Sequence, residues 1–482
     1  MPDAPRHADW MAALAAHYDD ARQRYPGERL LVMFDIDGTI TDIRAMILDV
    51  LRQYDRAHQT EHFRHLTLGD ITVSDNRIEG LLNSLPIPAP QHAQIADWFS
   101  ANRWTPEAIY RSHRPYHGVL EVIRWFQLQP NTFVGLNTGR PEAVREMTLR
   151  SLNALGDIYR VSFPNELLFM NPGGWGGDVL ASKVAGVRYF QAAGYRVIAF
   201  VDNEPENLAA IEAADPDHEI LLLHADTIFD SRRERMPSQA IGGDSYALTS
   251  LLEKGEIPGK IQLVWHAVNS ARRIEEFLQA RVHWGEFDVR RDPFSGALVT
   301  RQYSYTAVPP VSREETAPLL SDTLERLKKA GKGVKLDLRA GLETVDEVLA
   351  LTRAAGFDGT GLWFNGRIER LLEDGFHKLS VAYPAAILQC SIDFLAPLIL
   401  GTPAKAKEIL DMLTGWGLNR FSVRWQTLNK RQIIRQMEGW GLEVNIFEIP
   451  NLEQFLKATL LLPRSITADF IHPGLQEPPA AP

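Results

Sequence analysis

The chain has 482 residues, is 45% hydrophobic and 23% charged, and carries a formal net charge of −10. That length is too great for one ordinary domain, so two or three are expected. The acidic balance argues against a nucleic-acid or anionic-membrane surface, and the single cysteine, Cys390, excludes an intramolecular disulfide and a cysteine-based zinc site. Residues 1–25 lack the apolar core of a secretory signal, and no run of about 20 apolar residues occurs, so a cytoplasmic protein with no membrane partner is the expectation.

Residues 30–34 form an apolar run that reads as a buried parallel strand. It leads into Asp35-Ile36-Asp37-Gly38-Thr39. Two carboxylates two residues apart at a strand end can hold a divalent cation and leave one carboxylate free for chemistry; the alternative is an acidic strand-to-loop corner. The following stretch, about 43–113, is too long for a simple loop. Its amphipathic runs near 45–57, 78–85 and 92–99 predict a helical cap over a crevice. His62, Arg64 and His65 in it read either as contacts to an anionic substrate or as ordinary surface groups.

Next comes Phe133-Val134-Gly135-Leu136-Asn137-Thr138-Gly139-Arg140. The strand is expected to end at Thr138, with Gly139-Arg140 opening a helix. Backbone N–H groups of Asn137 and Gly139 could then meet phosphate oxygens. Lys183 is the only lysine before Lys254 and sits in a predicted helix N-terminal region. It reads as a cation balancing negative charge at a site, or as a solvated surface lysine. The apolar run 197–201 ends in Asp202-Asn203-Glu204-Pro205-Glu206. Magnesium needs oxygen ligands, and Asp202 with Glu206 or Glu204 could supply them. The alternative is a set of helix N-terminal acids facing the dipole.

In this order the four segments resemble the motifs of the haloacid dehalogenase-like phosphohydrolase superfamily, over about residues 30–230. The resemblance implies a Rossmann-like α/β domain, residues 1–230, with the 43–113 insertion as its cap. It implies that Asp35 attacks phosphorus to form an aspartyl-phosphate, while Asp37 protonates the leaving oxygen and later deprotonates water. It makes Thr138 and Lys183 charge-stabilising groups and Gly38, Thr39, Asn137 and Gly139 a phosphate-binding surface. It also implies Mg²⁺, with Asp35, Asp37, Asp202 and Glu206 as the candidate ligands. Aspartate at the second position favours phosphate chemistry over carbon–halogen cleavage.

Residues 231–259 change character, with Arg232-Arg233-Glu234-Arg235, Gly242-Gly243 and Pro258-Gly259, and read as a linker. From 260 to 482 strands and helices alternate. Strands are predicted at 261–266, 284–289, 333–337, 360–364, 378–381, 420–423, 442–447 and 465–469, with helices between. Eight such strands predict a (β/α)8 TIM-type barrel with its site at the carboxyl ends of the strands. There stand His266, the pair Glu286 and Asp288 on one side of a strand, and Asp337. The three carboxylates could hold Mg²⁺ or Ca²⁺ with His266 as acid or base; the alternative is ordinary barrel-rim acids.

The runs His266-Ala267-Val268-Asn269-Ser270, Glu286-Phe287-Asp288, Lys335-Leu336-Asp337 and Trp363-Phe364-Asn365 resemble the glycerophosphodiester phosphodiesterase-like superfamily, nearest its menorin-related branch, over about 261–472. That family uses a second histidine on the strand after Glu-x-Asp. Here Arg301 lies about at that place. Arginine stays protonated and cannot shuttle a proton, though it can hold a phosphate. A one-histidine variant and a binding module both stay open.

The two resemblances together imply a phosphohydrolase acting on a small phosphorylated substrate, joined to a barrel that cleaves or binds a phosphodiester. A diester cut by the barrel would yield a monoester for the first domain. The alternatives are a barrel that only recognises a phosphorylated ligand, and a non-catalytic scaffold with two degenerate sites.

Overall fold

A computed structural model describes residues 9–73, 77–174, 176–227, 235–252, 261–305 and 317–469. The chain divides into two units on either side of residue 255. Six strands make the sheet of the first: β1 (Arg29–Phe34), β2 (Thr132–Pro141), β3 (Leu168–Asn171), β4 (Tyr195–Asp202), β5 (Leu221–Ala225) and β6 (Ile241–Gly243). All pair in parallel, in the order β3-β2-β1-β4-β5-β6. Strand β1 is buried from Leu30 to Phe34 and β4 from Val197 to Asp202, as expected of central strands covered on both faces. The chain leaves β1 on one side for β2 and β3 and returns on the other for β4. The carboxyl ends of β1, β2 and β4 therefore frame the crevice of a doubly wound sheet.

The insertion after β1 is helical: Arg44–His58, Ile78–Ser84, Ala89–Asn102 and Pro106–Ser112. It has a core of its own, with Met46, Leu51, Phe63, Leu82, Ile95 and Phe99 fully buried.

Two local expectations need correction. Strand β2 does not stop at Thr138. It runs through Gly139 and Arg140 to Pro141, with a register shift against β3, and the next α-helix begins only at Arg145. The described part of the expected linker is also structured. Strand β6 extends the sheet, and Tyr246 packs on Trp10 with ring centroids 4.8 Å apart while its hydroxyl donates to the Thr39 carbonyl at 2.9 Å. Buried aromatic contacts bind residues 241–252 into the first unit, against the turn residues that suggested a linker. Runs 231–234 and 253–260 lie outside the described residues.

In the second unit eight parallel strands close on themselves: β7 (Gln262–Trp265), β8 (Trp284–Arg291), then β10 (Gly333–Leu338), β11 (Leu362–Asn365), β12 (Ile387–Ser391), β13 (Arg420–Arg424), β14 (Glu443–Ile449) and β15 (Ser465–Ala468). The β8–β10 pairing completes the barrel, and β9 (Leu298–Thr300) hangs antiparallel on β8. The expected fifth strand at 378–381 is instead the end of a helix, Ile368–Ala382, whose Val381 points to solvent; the strand lies at β12. A β-branched residue in a helix's last turn imitated a strand. Trp363 fills the barrel interior, flanked by Lys335 at 4.8 Å and Arg420 at 4.6 Å from its ring centroid. Among the described residues no helix is long and apolar enough to cross a membrane.

Candidate active sites

In the first unit Asp35 follows β1 and Asp202 ends β4, on adjacent parallel strands. Lys183 reaches both. It lies on the helix Val179–Ala192, which Asp178 caps by accepting from the Ala181 N–H. That helix approaches β2 so closely that a Cβ on Gly186 would come within 2.5 Å of the Asn137 side chain. Asn137 Nδ2 donates to the Lys183 carbonyl at 2.8 Å. So placed, Lys183 Nζ donates to Asp35 Oδ1 at 2.5 Å, Asp202 Oδ2 at 2.8 Å and the Asn137 carbonyl at 2.7 Å. It is 1% exposed, which disposes of the surface-lysine alternative.

Charge in this pocket is unbalanced. Burial pushes the Asp35 carboxyl up to about 7 against the pull of Lys183, with Asp202 and Asp37 adding to the rise. Burial, then Asp202, pushes Glu204 up to about 7. Lys183 is held above its usual range despite burial, because two carboxylates face it. Two acids sharing one ammonium leave surplus negative charge in low dielectric, which suits a hard cation. Mg²⁺ is commonly bound through one or two carboxylates and keeps several waters, so Asp35 and Asp202 fit that ion. Asp202 also accepts from Asn207 Nδ2 at 3.0 Å and from the Glu204 N–H at 2.8 Å. Glu206 instead pairs with Arg235 at 2.5 Å.

Asp37 is held by a group the sequence reading passed over. Arg140 Nε donates to Asp37 Oδ2 at 2.7 Å and its Nη2 to Oδ1 at 2.6 Å. Burial works to raise the Asp37 pKa, but Arg140 outweighs it and holds the carboxyl below the usual range. Arg140 is itself fixed by Thr148 Oγ1 at 3.1 Å, His113 Nε2 at 3.2 Å and the Trp104 ring at 4.9 Å. Trp104 and His113 belong to the helical insertion and its return, so that segment touches the Asp37 partner directly. Burial, then Arg140, depresses His113 to about 3, and its Nδ1 meets Ser151 Oγ at 2.8 Å. The signal was present in sequence, since Arg140 directly follows Thr138-Gly139. It was read as a helix start.

Thr138 is buried, and its hydroxyl accepts from the Arg140 N–H at 3.2 Å. Gly38 has φ of +85°, and a Cβ there would lie 2.6 Å from Asn203, so only glycine suits the turn after Asp37. Thr39 lies buried beside it, with its hydroxyl 3.5 Å from Asn203 Oδ1. Arg64 pairs with Glu61 on an exposed part of the insertion.

In the barrel a cavity of about 550 Å³ opens among the strand ends and includes His266, Glu286, Asp288, Asp337, Lys335 and Arg339. The three carboxylates were expected either to hold Mg²⁺ or Ca²⁺ or to be ordinary barrel-rim acids. Each already has a cation, but three acids share two: Lys335 meets Glu286 at 2.7 Å, and Arg339 meets Asp288 and Asp337 at 2.7 Å each. Among the described residues of either unit no three acidic, cysteine or histidine side chains form a group placed to hold a metal, so in the first unit the fit to Mg²⁺ rests on the two carboxylates Asp35 and Asp202 alone. A divalent ion at these barrel acids would have to displace Lys335 and Arg339 from them.

His266 Nδ1 bonds Asp469 Oδ1 at 2.5 Å while Nε2 faces Glu286 Oε1 at 3.8 Å. Burial lowers its pKa, but Asp469 and Glu286 outweigh burial and raise it. Burial pushes Asp337 up to about 7, with Glu286 and Asp288 adding to the rise. Arg301 does not line the cavity; its guanidinium lies 4.8 Å from the Tyr305 ring and its Nε donates to the Tyr303 carbonyl. Its neighbour Gln302 is on the cavity wall.

No family model matches this chain, and no curated protein matches it. Solved structures similar to parts of it include an Oleispira antarctica phosphodiesterase in complex with the product sn-glycerol-3-phosphate, at 14% identity over 44% of this chain and 94% of that one, with a TM-score of 0.34. A glycerophosphodiester phosphodiesterase from Agrobacterium tumefaciens is 16% identical over 43% of this chain and 96% of its own, with a TM-score of 0.32. A haloacid dehalogenase family hydrolase from Deinococcus radiodurans with bound phosphate and sodium is 15% identical over 45% of this chain and 92% of its own, with a TM-score of 0.30.

Proposed function

We propose that the first unit is a magnesium-dependent phosphomonoesterase and that the barrel takes a phosphodiester. The observation that carries the first reading is the single buried ammonium of Lys183 shared by Asp35 and Asp202. Such a site is short of positive charge until a cation completes it. When bound, Mg²⁺ held by Asp35 and Asp202 would supply positive charge beside the transferring oxygens. The chain's own groups do the rest. An Asp35 carboxylate oxygen attacks phosphorus and the bond to the ester oxygen breaks; Asp37 gives that oxygen a proton once the carboxyl has parted from Arg140 and taken one up from solvent, since Arg140 as placed here favours the ionised form. Asp37 then takes a proton from water as the water attacks the aspartyl-phosphate, releasing phosphate and restoring Asp35. Lys183 and Thr138 face the charge that develops on the phosphoryl group. Arg140 fixes the orientation of the ionised Asp37, the form that takes the proton from water in the second step.

For the barrel, Lys335 and Arg339 supply fixed cations and His266 a proton-transfer group poised by Asp469. These support recognition of a phosphodiester, with cleavage resting on one histidine. The test is a panel of phosphomonoesters and phosphodiesters assayed with Mg²⁺, Ca²⁺ and a chelator. Monoester hydrolysis that requires Mg²⁺ and is lost in Asp35→Asn is expected. Monoester hydrolysis indifferent to chelator, or none on any member, overturns the reading.

A further inference from the structure

The turn that carries Asp37 is fastened from a part of the chain that the chemistry above does not use. Within the turn, the Gly38 N–H donates to the Thr41 carbonyl at 2.9 Å, and the Ile40 and Thr41 N–H groups donate to the Ile36 carbonyl at 2.9 and 2.8 Å. Two of its own carbonyls are taken by hydroxyls from far along the chain. Thr227 Oγ1 donates to the Gly38 carbonyl at 2.5 Å, and the Tyr246 hydroxyl donates to the Thr39 carbonyl at 2.9 Å. A peptide is planar, so fixing a carbonyl also fixes the N–H of the next residue. The two successive peptides after Gly38 are therefore held from outside the turn as well as from within.

Both hydroxyls are themselves fixed. Thr227 and Tyr246 are buried. They follow the paired strands β5 and β6, beyond which the Asp226 N–H donates to the Gly243 carbonyl at 2.8 Å. Tyr246 packs on Trp10, whose Nε1 donates to the Ser245 carbonyl at 2.6 Å. A Cβ on Gly243 would overlap the Trp10 ring, and one on Gly118 would overlap the Tyr246 carbonyl. Neither contact leaves room for the segment to slide. Thr39 precedes the helical insertion and Gly118 follows it, so Tyr246 grips the chain on both sides of that insertion.

Arg140 holds the Asp37 carboxylate only while it is ionised. With the carboxyl parted from Arg140 in the first step, its place is set by the turn and by Thr41, whose Oγ1 lies 3.2 Å from Oδ1. A displacement of about 1 Å at a reacting group can cost about a hundredfold in rate. We propose that Thr227 and Tyr246 are positioning residues for Asp37, their hydroxyls holding the turn so that Asp37 reaches the leaving oxygen. The inference rests on the phosphomonoesterase reading of the first unit. It makes residues 241–252, expected as linker, part of the frame of that unit's site.

The test uses the full chain with Mg²⁺ and two esters, p-nitrophenyl phosphate and ethyl phosphate. Nitrophenolate departs readily as an anion, whereas ethoxide needs a proton, so a misplaced Asp37 lowers kcat/KM far more for the alkyl ester. The ratio of the two kcat/KM values is independent of how much enzyme is folded, so lost stability alone leaves it unchanged. Tyr246→Phe keeps the ring against Trp10 and removes only the hydroxyl; Thr227→Val removes the other at nearly constant volume. Each should lower the alkyl-to-aryl ratio at least about fivefold, and Thr227→Ser, which keeps the hydroxyl, should hold it within about twofold of the parent. A ratio unchanged in both Tyr246→Phe and Thr227→Val overturns the inference, since the hydroxyls then only stabilise the fold. A ratio as low in Thr227→Ser as in Thr227→Val overturns the part played by Thr227. Asp35→Asn separates this from the underlying reading. If it is inactive and the ratio holds in both hydroxyl variants, the phosphomonoesterase stands and the positioning role falls. If it turns over both esters within about tenfold of the parent, or the parent turns over neither, the phosphomonoesterase reading falls and the positioning role with it.

Discussion

Lys183 is where position and charge combine most directly. A lone lysine in an arginine-rich half was visible in the sequence, but its burial between two carboxylates was not. Lys183→Ala should lower monoester turnover by about two orders of magnitude or more, the scale of a lost electrostatic stabiliser. It should also destabilise the first unit by about 3–5 kcal/mol in chelator, because two buried carboxylates are left facing each other. Adding Asp202→Asn should recover the melting temperature and not the activity. Wild-type stability in Lys183→Ala would show that the pair is not closed in solution. His113 gives a prediction with a definite sign. Its folded pKa, depressed from 6.5 to about 3, lies below the unfolded value. The unfolded chain therefore binds a proton that the folded chain refuses. This contribution to stability is complete above about pH 6.5 and is lost as pH falls, at up to about 1.4 kcal/mol per pH unit. Chemical denaturation of parent and His113→Gln between pH 4 and 7 should show a steeper loss in the parent. Parallel curves would mean that His113 is protonated in the fold.

At the scale of elements, strands announced themselves where the chain is apolar on both faces and failed to where they end in polar work. The runs behind β1 and β4 were legible because buried parallel strands carry continuous apolar residues, while β8 and β10 were legible from alternation of apolar with charged residues. Strand β12, Ile387-Leu388-Gln389-Cys390-Ser391, was missed because its inward face is Gln389 and Ser391, which look like loop residues in sequence. The end of β2 was misjudged for a similar reason. Gly139-Arg140 resembles a helix start, while the arginine is spent on Asp37 from within the strand. The same kind of offset affects β9. Position alone put Arg301 where a second proton-transfer group belongs, whereas Gln302 is the residue on the cavity wall. Gln302→His should therefore raise any diesterase activity by at least about tenfold, a modest share of the usual gain from a positioned acid or base. Arg301→His should do less. The reverse ranking, measured on one activated diester, would place the missing group at Arg301.

Across the whole molecule the two architectures could be read from order and spacing, since each sheet is built by alternation of strand and helix. What could not be read was the wiring of charge. The acids flagged in the barrel were right as a cluster lining one cavity, yet the cations that close on them, Lys335 and Arg339, lie two residues to either side of Asp337 and pass as surface charges in sequence. In the first unit the same blind spot hid Arg140. The central claim is that Asp35 carries the phosphoryl group. The most direct test is to quench the full chain in acid during turnover of a phosphomonoester with Mg²⁺, reduce with borohydride, and map the product by mass spectrometry. An aspartyl-phosphate is reduced to homoserine, so the account predicts homoserine at position 35 and nowhere else, absent without substrate. Steady turnover with an unmodified Asp35, together with activity in Asp35→Asn within about tenfold of the parent, against the roughly millionfold scale of enzymatic acceleration, would contradict it.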